Sequence, residues 1–268
     1  MRLLIISFCL MLFCVIAGAQ DFYYVTVIRG AVKKEDKSIL KTGDKLLEDA
    51  KLIFANKDCR LLLLHPQKGR FVLEPEKISG EPKGELLLFL KNKLHLQTQT
   101  MRLSSRGDIG VDDFFLIKNP DSANLLFIGD TKFDLRYSGY LQADTSNNFF
   151  FLQYSAADGK VYNNKLSIMH DSLNFNKSSF LFNGIMPANN RKVKIGYIKD
   201  FDHNREIKQI AAFVPIFMSA GDCQKMMGTI KQTIGGSKEK IIEEAYIQLY
   251  FLYGKPFIET LNSIFDQL

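Results

Sequence analysis

The sequence contains no tryptophan and little cysteine or proline: its 268 residues include 4 Cys and 7 Pro. So few cysteines exclude a disulfide-rich scaffold, and 18 Gly with 7 Pro exclude collagen-like and elastic chains. The missing tryptophan argues against a sugar-binding platform, so ring runs such as Phe149-Phe150-Phe151 are predicted to pack in a core. What is present, 46% hydrophobic and 24% charged residues, is the balance of a folded globular protein.

Motifs that bind phosphate, cofactors or zinc are also missing. The chain has neither the G-x-x-x-x-G-K-[ST] nor the G-x-G-x-x-G phosphate cradle, and it lacks the G-x-S-x-G elbow of serine hydrolases. Its 4 His are isolated, with no H-x-x-x-H or C-x-x-C spacing for a metal. The net charge of +6 comes from scattered lysines and arginines that mostly alternate with acids. We therefore predict no cofactor, no zinc site and no nucleic-acid partner.

The longest hydrophobic run lies at the N-terminus and has the form of a secretory signal. Arg2 supplies a positive charge, residues 3–15 are apolar, and Ala17-Gly18-Ala19 form a small-residue cleavage site. About twenty apolar residues are needed to span a bilayer, so an uncleaved anchor is the weaker alternative. We predict that residues 1–19 are removed, that no stable membrane span remains, and that the protein is periplasmic or extracellular.

Signal cleavage would remove Cys9 and Cys14 and leave Cys59 and Cys223. An exported protein can form disulfides, and a bridge between these two cysteines would close a long loop and stabilise the fold. Two isolated cysteines are also compatible with separate buried thiols. The sequence favours two buried thiols and keeps a Cys59–Cys223 disulfide as the alternative.

Residues 20–78 have the pattern of a small β unit. Short segments rich in β-branched and aromatic residues recur about every ten residues, with polar or glycine turns between them. This spacing predicts a small sandwich or barrel within a chain of the α+β, β-rich class. The predicted strands are 23–30, 31–33, 38–40, 52–54, 60–65 and 70–73.

Turn glycines and strand hydrophobics follow one another in this unit in a fixed order, at Val27, Gly30, Val32, Leu40, Gly43, Asp44, Leu46, Leu52 and the strand 61–64. This order resembles the β domain of FecR-like proteins. In that family the module is periplasmic and belongs to a sensor that relays a signal from an outer-membrane receptor to an anti-sigma segment. The resemblance implies a bacterial envelope protein. The chain shows neither the family's cytoplasmic segment nor its retained membrane span, so signalling is an alternative function.

The remaining chain divides into a linker and a larger domain. Residues 79–110 are predicted to form a linker that contains a short helix, 85–93, and a strand, 94–103. Residues 111–268 are predicted to form an α+β domain with an antiparallel sheet and a C-terminal helical tail, in which the Gly129-Asp130 turn makes a hairpin. Its predicted strands are 125–128, 133–137, 149–154, 161–169, 178–182, 192–198 and 207–218, and its three helices begin near Asp222, Ser237 and Pro256.

Asp200, Asp202 and Asn204 form the richest cluster of oxygen ligands, with the spacing that opens a calcium loop. An EF-hand also needs glycine at its sixth position and a carboxylate at its twelfth, where this chain has Arg205 and Ala211. The run therefore predicts a polar hairpin turn. Weak divalent binding by these three residues is the alternative.

His170 and Cys223 are the candidates for catalysis. His170 precedes Cys223 by about fifty residues, the order and spacing that caspase-like peptidases use. A thiol near the start of a helix also tends to have a lowered pKa. The flanking residues do not fit, because Asp171 and Gln224 stand where those families have glycine. We predict a buried thiol near a helix start and keep a His170/Cys223 hydrolase as the alternative.

Together these patterns predict an exported, non-catalytic binding or scaffold protein of the bacterial cell envelope. Its expected partner is an envelope protein or another macromolecule, bound at a sheet edge or beside the tail helices. The alternatives are a cysteine-dependent hydrolase and an envelope signalling component.

Overall fold

A computed structural model describes the chain at residues 22–75, 83–85, 124–135, 148–169, 172–187, 191–201 and 204–268. The chain divides into two units, Met1–Gln97 and Thr98–Leu268. With 44% strand and 25% helix, its antiparallel sheets and C-terminal helical region confirm the predicted α+β, β-rich class. The predicted signal, residues 1–19, and most of the predicted linker lie outside the described residues.

The first unit contains two antiparallel sheets. Its strands are β1 Tyr23–Arg29, β2 Val32–Lys34, β3 Lys45–Leu46, β4 Lys51–Phe54, β5 Arg60–His65, β6 Gly69–Leu73 and β7 Lys83–Glu85. One sheet has the strand order β3-β1-β5-β6, and the other has the order β2-β4-β7. Five of these strands lie close to predicted positions, and β3 and β7 are additional. The predicted strand 38–40 is wrong, because only Ile39 forms a bridge there, to Lys33.

Both sheets of the first unit contribute side chains to one core. Val25 and Leu61 come from the four-stranded sheet, Val32 and Leu52 come from the three-stranded sheet, and all four are buried. Strand β4 alternates between more and less buried positions, as a strand with one face on a core must. The unit is therefore a small sandwich, which the strand pattern predicts.

The turn between β1 and β2 depends on Gly30. Gly30 has a φ of +84°, and a Cβ at this position would lie 2.6 Å from Sγ of Cys59. Glycine adopts positive φ without strain and leaves room for a close neighbour. The turn can therefore close over Cys59, which is fully buried.

Strand β7 corrects the predicted boundary of the linker. Lys83 and Gly84, predicted as linker, pair with Ile53 and Leu52 of β4. The short strand satisfies backbone groups along an edge of β4 that would otherwise need water. Glu85, where a helix is predicted to begin, is the last residue of this strand, and the following residues lie outside the described ones.

The second unit contains a five-stranded sheet and a three-stranded sheet. The strands are β8 Asn124–Ile128, β9 Thr131–Asp134, β10 Phe149–Ser155, β11 Val161–Lys165, β12 Ile168–Met169, β13 Ser172–Phe175, β14 Val193–Phe201 and β15 Asn204–Met218. The larger sheet has the order β11-β10-β14-β15-β8, and the smaller has the order β12-β13-β9. Neighbouring strands are antiparallel except β15 and β8, which are parallel.

Strand β8 exists where it is predicted, but the predicted hairpin with β9 is wrong. The partner of β8 is the end of β15, while β9 pairs with β13. The Gly129-Asp130 turn therefore carries the chain from one sheet to the other. On its far side β8 bonds to Lys255, which donates its N–H to Asn124 O and accepts the N–H of Leu126.

Two further local predictions have different outcomes. Pro215 is predicted to lie at an edge or a bulge, and the final segment of β15 that contains it pairs, among the described strands, with β8 alone. Residues 178–182 are predicted as a strand, but Lys177–Phe180 forms a 3-10 helix capped by Asn176. The Asn176 side chain accepts the N–H of Ser179, and local bonds of this kind compete with strand pairing.

Three helices end the chain, and their caps set their limits. They are α1 Ala220–Ile234, α2 Lys238–Tyr253 and α3 Ile258–Phe265. Ser219, not the predicted Asp222, caps α1, because its Oγ accepts the Asp222 N–H at 3.0 Å. Ser237 caps α2 as predicted. The helices pack on one another and α2 contacts β8, so their apolar stripes are buried as the residue spacing predicts.

The core of the second unit is a cluster of aromatic rings, as a chain with 22 Phe predicts. Phe127 of β8 lies at its centre. The other rings belong to both sheets, to the 3-10 helix and to the segment before α3, so Phe127 holds these parts together. Its ring centroid is 5.2–5.9 Å from those of Phe175, Phe180, Phe213, Phe217 and Phe257.

Candidate functional site

The outer face of the larger sheet in the second unit carries an open cavity of about 440 Å³. It extends across β11, β10, β14 and β15, and we call this surface the concave face. Cavities of this size are typical of small-molecule sites. Its side chains form three rows across the strands: Phe149, Ile198 and Ile207; then Lys165, Phe151, Gly196 and Gln209; then Asn163, Gln153 and Lys194.

Alternation along β10 creates the concave face. Every second residue from Phe150 is buried in the core, and every second residue from Phe149 is half-buried on the opposite side. The run Phe149-Phe150-Phe151, predicted to pack in a core, is therefore divided between the two faces of the sheet. The sequence does not identify the first and third rings of the run as surface residues, because all three positions carry the same side chain.

Gly196 shapes the floor of the concave face. It lies directly opposite Phe151 on the neighbouring strand. A Cβ at Gly196 would lie 2.5 Å from Cζ of the Phe151 ring, so a side chain here would displace that ring. The register of β14 against β15 also shifts between Ile195 and Gly196, an irregularity that strand glycines often mark. The glycine lets the Phe151 ring lie across the strand instead of standing off it.

The rim of the concave face is polar and positively charged. Lys165 Nζ lies 5.0 Å from the centroid of the Phe149 ring, a cation–π distance. Lys194 is exposed in the third row, where Gln153 Nε2 donates to Asn163 Oδ1 at 3.1 Å. None of the described residues that line the face is acidic. The charge of the rim therefore favours a negatively charged ligand.

Apolar surface adjoins this polar rim. Phe149 and Phe151 are half-buried, and Ile207 is 62% exposed. Open apolar side chains next to a few polar groups are typical of binding surfaces. The rings and aliphatic side chains can cover an apolar group, while the amides hydrogen-bond and the lysines attract an anion. The concave face therefore has the chemistry of a binding site for an amphipathic molecule.

Cys223 lies in the first turn of α1, near the predicted helix start, and its side chain is fully buried. Burial raises the pKa of its thiol to about 12, and the charge of Asp222 acts in the same direction. The lowered pKa expected at a helix start is not found, because burial disfavours the charged thiolate. His170 lies outside the described residues, so a His170/Cys223 dyad stays a prediction.

Cys59 and Cys223 are both free and buried. Cys59 packs among the core side chains of the first unit, and Cys223 is buried in the second. Each thiol is buried within its own unit, and a Cys59–Cys223 disulfide stays the alternative prediction.

The oxygen-rich run lies at the end of the β14–β15 hairpin, where Asp200 pairs with Arg205. This position agrees with the predicted hairpin turn. Asp202 and the side chains of Asp200 and Asn204 lie outside the described residues, so weak divalent binding there stays a prediction. In the part of the chain that the structure describes, no three His, Cys, Asp or Glu side chains are grouped as metal ligands.

No protein-family model matches this chain, and no curated protein or solved structure matches it either. The FecR-like resemblance of the first unit therefore stays a prediction from the sequence. Among the described residues, no helix combines the length and the apolar character needed to cross a membrane.

We expect Cys223 to react very slowly with iodoacetamide near pH 8 while the protein is folded. A thiol with a pKa of about 12 is almost wholly protonated there, and the thiolate is the reactive form. Peptide mass spectrometry measures the alkylated fraction. The same protein in urea is the control and should react readily. Rapid alkylation of Cys223 in the folded protein would contradict its burial.

The raised pKa of Cys223 also makes stability depend on alkaline pH. The folded thiol holds its proton more tightly than a thiol with the ordinary pKa of 9.0. The stability that this tighter proton binding adds to the folded state is therefore complete below pH 9 and is lost as pH rises towards 12. Relative to Cys223→Ala, the wild type should lose roughly 1 kcal/mol of unfolding free energy per pH unit above pH 9. Urea unfolding at a series of pH values measures this, and parallel pH profiles would contradict it.

Proposed function

We propose that this chain is an exported, non-catalytic binding or scaffold protein of the bacterial cell envelope, and that the concave face is its binding surface. The observation that carries the proposal is the concave face itself, with partly open rings and aliphatic side chains beside lysines and amides. The predicted signal at residues 1–19 supports export to the periplasm or the cell exterior. The FecR-like strand pattern of the first unit supports a bacterial envelope. The partner is then a component of the envelope.

The state of Cys223 supports binding rather than catalysis. A cysteine hydrolase needs a thiolate that its substrate can reach. Cys223 is buried, and burial raises the pKa of its thiol to about 12. A thiol-directed activity probe tests this point, and we expect no specific labelling. Labelling of Cys223 that disappears in His170→Ala would overturn the non-catalytic part of the proposal.

Site-specific photo-crosslinking tests the binding surface. p-Benzoylphenylalanine is placed at position 209, on the concave face, and in the control at position 225, where Lys225 is an exposed residue of α1. We expect an envelope extract of the source organism to give adducts of discrete mass at position 209 and none at position 225. These adducts should be lost when Gly196→Val displaces the Phe151 ring. Equal adducts at both positions, or none at position 209, would overturn the proposal.

A further inference from the structure

The chemistry of the concave face points to a narrower class of ligand, and we infer that it binds a single-chain anionic lipid, an alkyl chain that ends in a carboxylate. The inference rests on the proposed function, because it takes the concave face as the binding surface. It narrows the envelope component to one chemical class. Three features support this inference: the size of the face, the position of its lysines, and the apolar strip formed by Phe149, Ile198, Ile207 and Phe151.

The size of the concave face fits a small amphiphile rather than a protein. Ile198 in the first row and Lys194 in the third row are four residues apart along β14, which is about 13 Å at the rise of a strand. The four strands are together about 14 Å wide from the first to the last axis. A surface with these two dimensions is far smaller than the roughly 800 Å² that each partner buries in a standard protein interface.

The apolar strip has room for an alkyl chain. Phe149, Ile198 and Ile207 form the first row across three strands, and Phe151 continues the strip towards the third row. Ile207 is the most open of these side chains. Covering the strip with an alkyl chain removes apolar surface from water on both molecules, which is the main source of favourable free energy for such ligands.

The carboxylate of the ligand has a matching set of donors at the other end. Lys194 stands in the third row, next to the amides of Gln153 and Asn163, and Lys165 borders the strip on β11. Ammonium and amide N–H groups donate to a carboxylate, and the charged bonds are the stronger ones.

Single-stranded nucleic acids also bind sheet faces that display aromatic rings. Such sites follow a phosphate backbone with several cationic groups, whereas the described residues of this face include two lysines, one of them placed over the Phe149 ring. Its first row is aliphatic beyond Phe149. The observations therefore favour the anionic lipid, and an oligonucleotide is included as a competing ligand in the test.

Calorimetric titration of the purified full chain tests the inference. The probes are sodium decanoate, decyl glucoside and decyltrimethylammonium below their micelle concentrations, together with sodium acetate and oligothymidylate. We expect decanoate to bind about tenfold more tightly than the cationic amphiphile. The neutral amphiphile should be intermediate, and acetate and oligothymidylate should not bind measurably. Equal affinity for all three head groups, or tighter binding of oligothymidylate, would overturn the inference.

Substitutions test which side chains contact the carboxylate of the ligand and which contact its alkyl chain. Lys165→Gln combined with Lys194→Gln should weaken decanoate binding roughly tenfold and leave decyl glucoside binding unchanged. Ile207→Ser should weaken the binding of both amphiphiles, because both cover the apolar strip. Lys225→Gln on α1 is the matched control and should change neither. A double lysine variant that binds decanoate like the wild type would overturn the inference.

Failure of the lipid class can be told apart from failure of the proposed function. If no amphiphile binds but position 209 still gives adducts that position 225 does not, the lipid class is wrong and the concave face remains a binding surface. If position 209 gives no adducts either, the proposed function is wrong as well.

Discussion

Replacing Phe127 by alanine is expected to lower the free energy of unfolding of the second unit by about 3–5 kcal/mol. Phe127 is buried at the centre of the aromatic cluster, and its ring contacts rings from both sheets. The substitution removes buried apolar surface and leaves a cavity. The cavity cannot close easily, because the surrounding rings belong to separate elements that are held by their own backbone bonds.

Urea unfolding measures the effect of Phe127→Ala, and hydrogen exchange of peptides from β15 assigns it to the second unit. Phe251→Ala is the matched control, because Phe251 is 46% exposed on α2. That variant should change the unfolding free energy by less than about 1 kcal/mol. A loss below about 1 kcal/mol for Phe127→Ala itself would contradict the central position of its ring.

The second large effect is expected at Gly254, which ends α2. Its φ of +106° and ψ of −170° belong to a region that residues with a Cβ rarely adopt. A Cβ here would also collide with the carbonyl oxygen of Asn124, which accepts the N–H of Lys255. Gly254→Ala should therefore lower the unfolding free energy by about 3 kcal/mol or more, from backbone strain and weakened bonds between Lys255 and β8.

Gly228→Ala is the matched control for Gly254→Ala. Gly228 lies inside α1, and a Cβ there would meet no atom within 4 Å. Alanine is favoured over glycine by about 0.5–1 kcal/mol in a helix interior, so this variant should be slightly more stable than the wild type. Urea unfolding should thus show opposite signs for the two changes. Similar losses at both positions would mean that neither the φ nor the collision at Gly254 explains its effect.

Elements that depend on neighbours in sequence are the ones that local patterns predict. The β10–β11 hairpin follows from the alternation of β10 and from a turn that contains Gly159 at a φ of +80°. The limits of α2 follow from Ser237 and Gly254. In these cases each end of the element is set by a residue at that end, so the local preference can be read directly.

The pairing of β8 with β15 could not be predicted in this way. Leu125 and Pro215 lie opposite each other although they are far apart in the chain, and a parallel pair has no tight turn to mark it. The Gly129-Asp130 turn suggested a hairpin because turn chemistry does not say which strand will pair. The same limit applies to β7, whose partner β4 lies in another part of the first unit.

The concave face could be predicted only in part. Alternation shows that Phe150 points away from its two neighbours, but it does not show which side meets the core. Gly196 was the available signal, because a glycine inside a strand often marks a bulge or a close approach. Its partner in that approach, Phe151, follows from the register of two strands, and the register depends on contacts across the whole sheet.

The position of β8 also determines when the second unit can fold. β8 lies between β15 and Lys255, two segments that the ribosome makes much later than β8 itself. The larger sheet therefore stays incomplete during synthesis until β15 has emerged, and β8 bonds to Lys255 later still. Such long-range pairing slows folding. If the predicted signal sends an unfolded chain through an export channel, this late assembly keeps the chain unfolded, and therefore able to pass through the channel, until it has crossed.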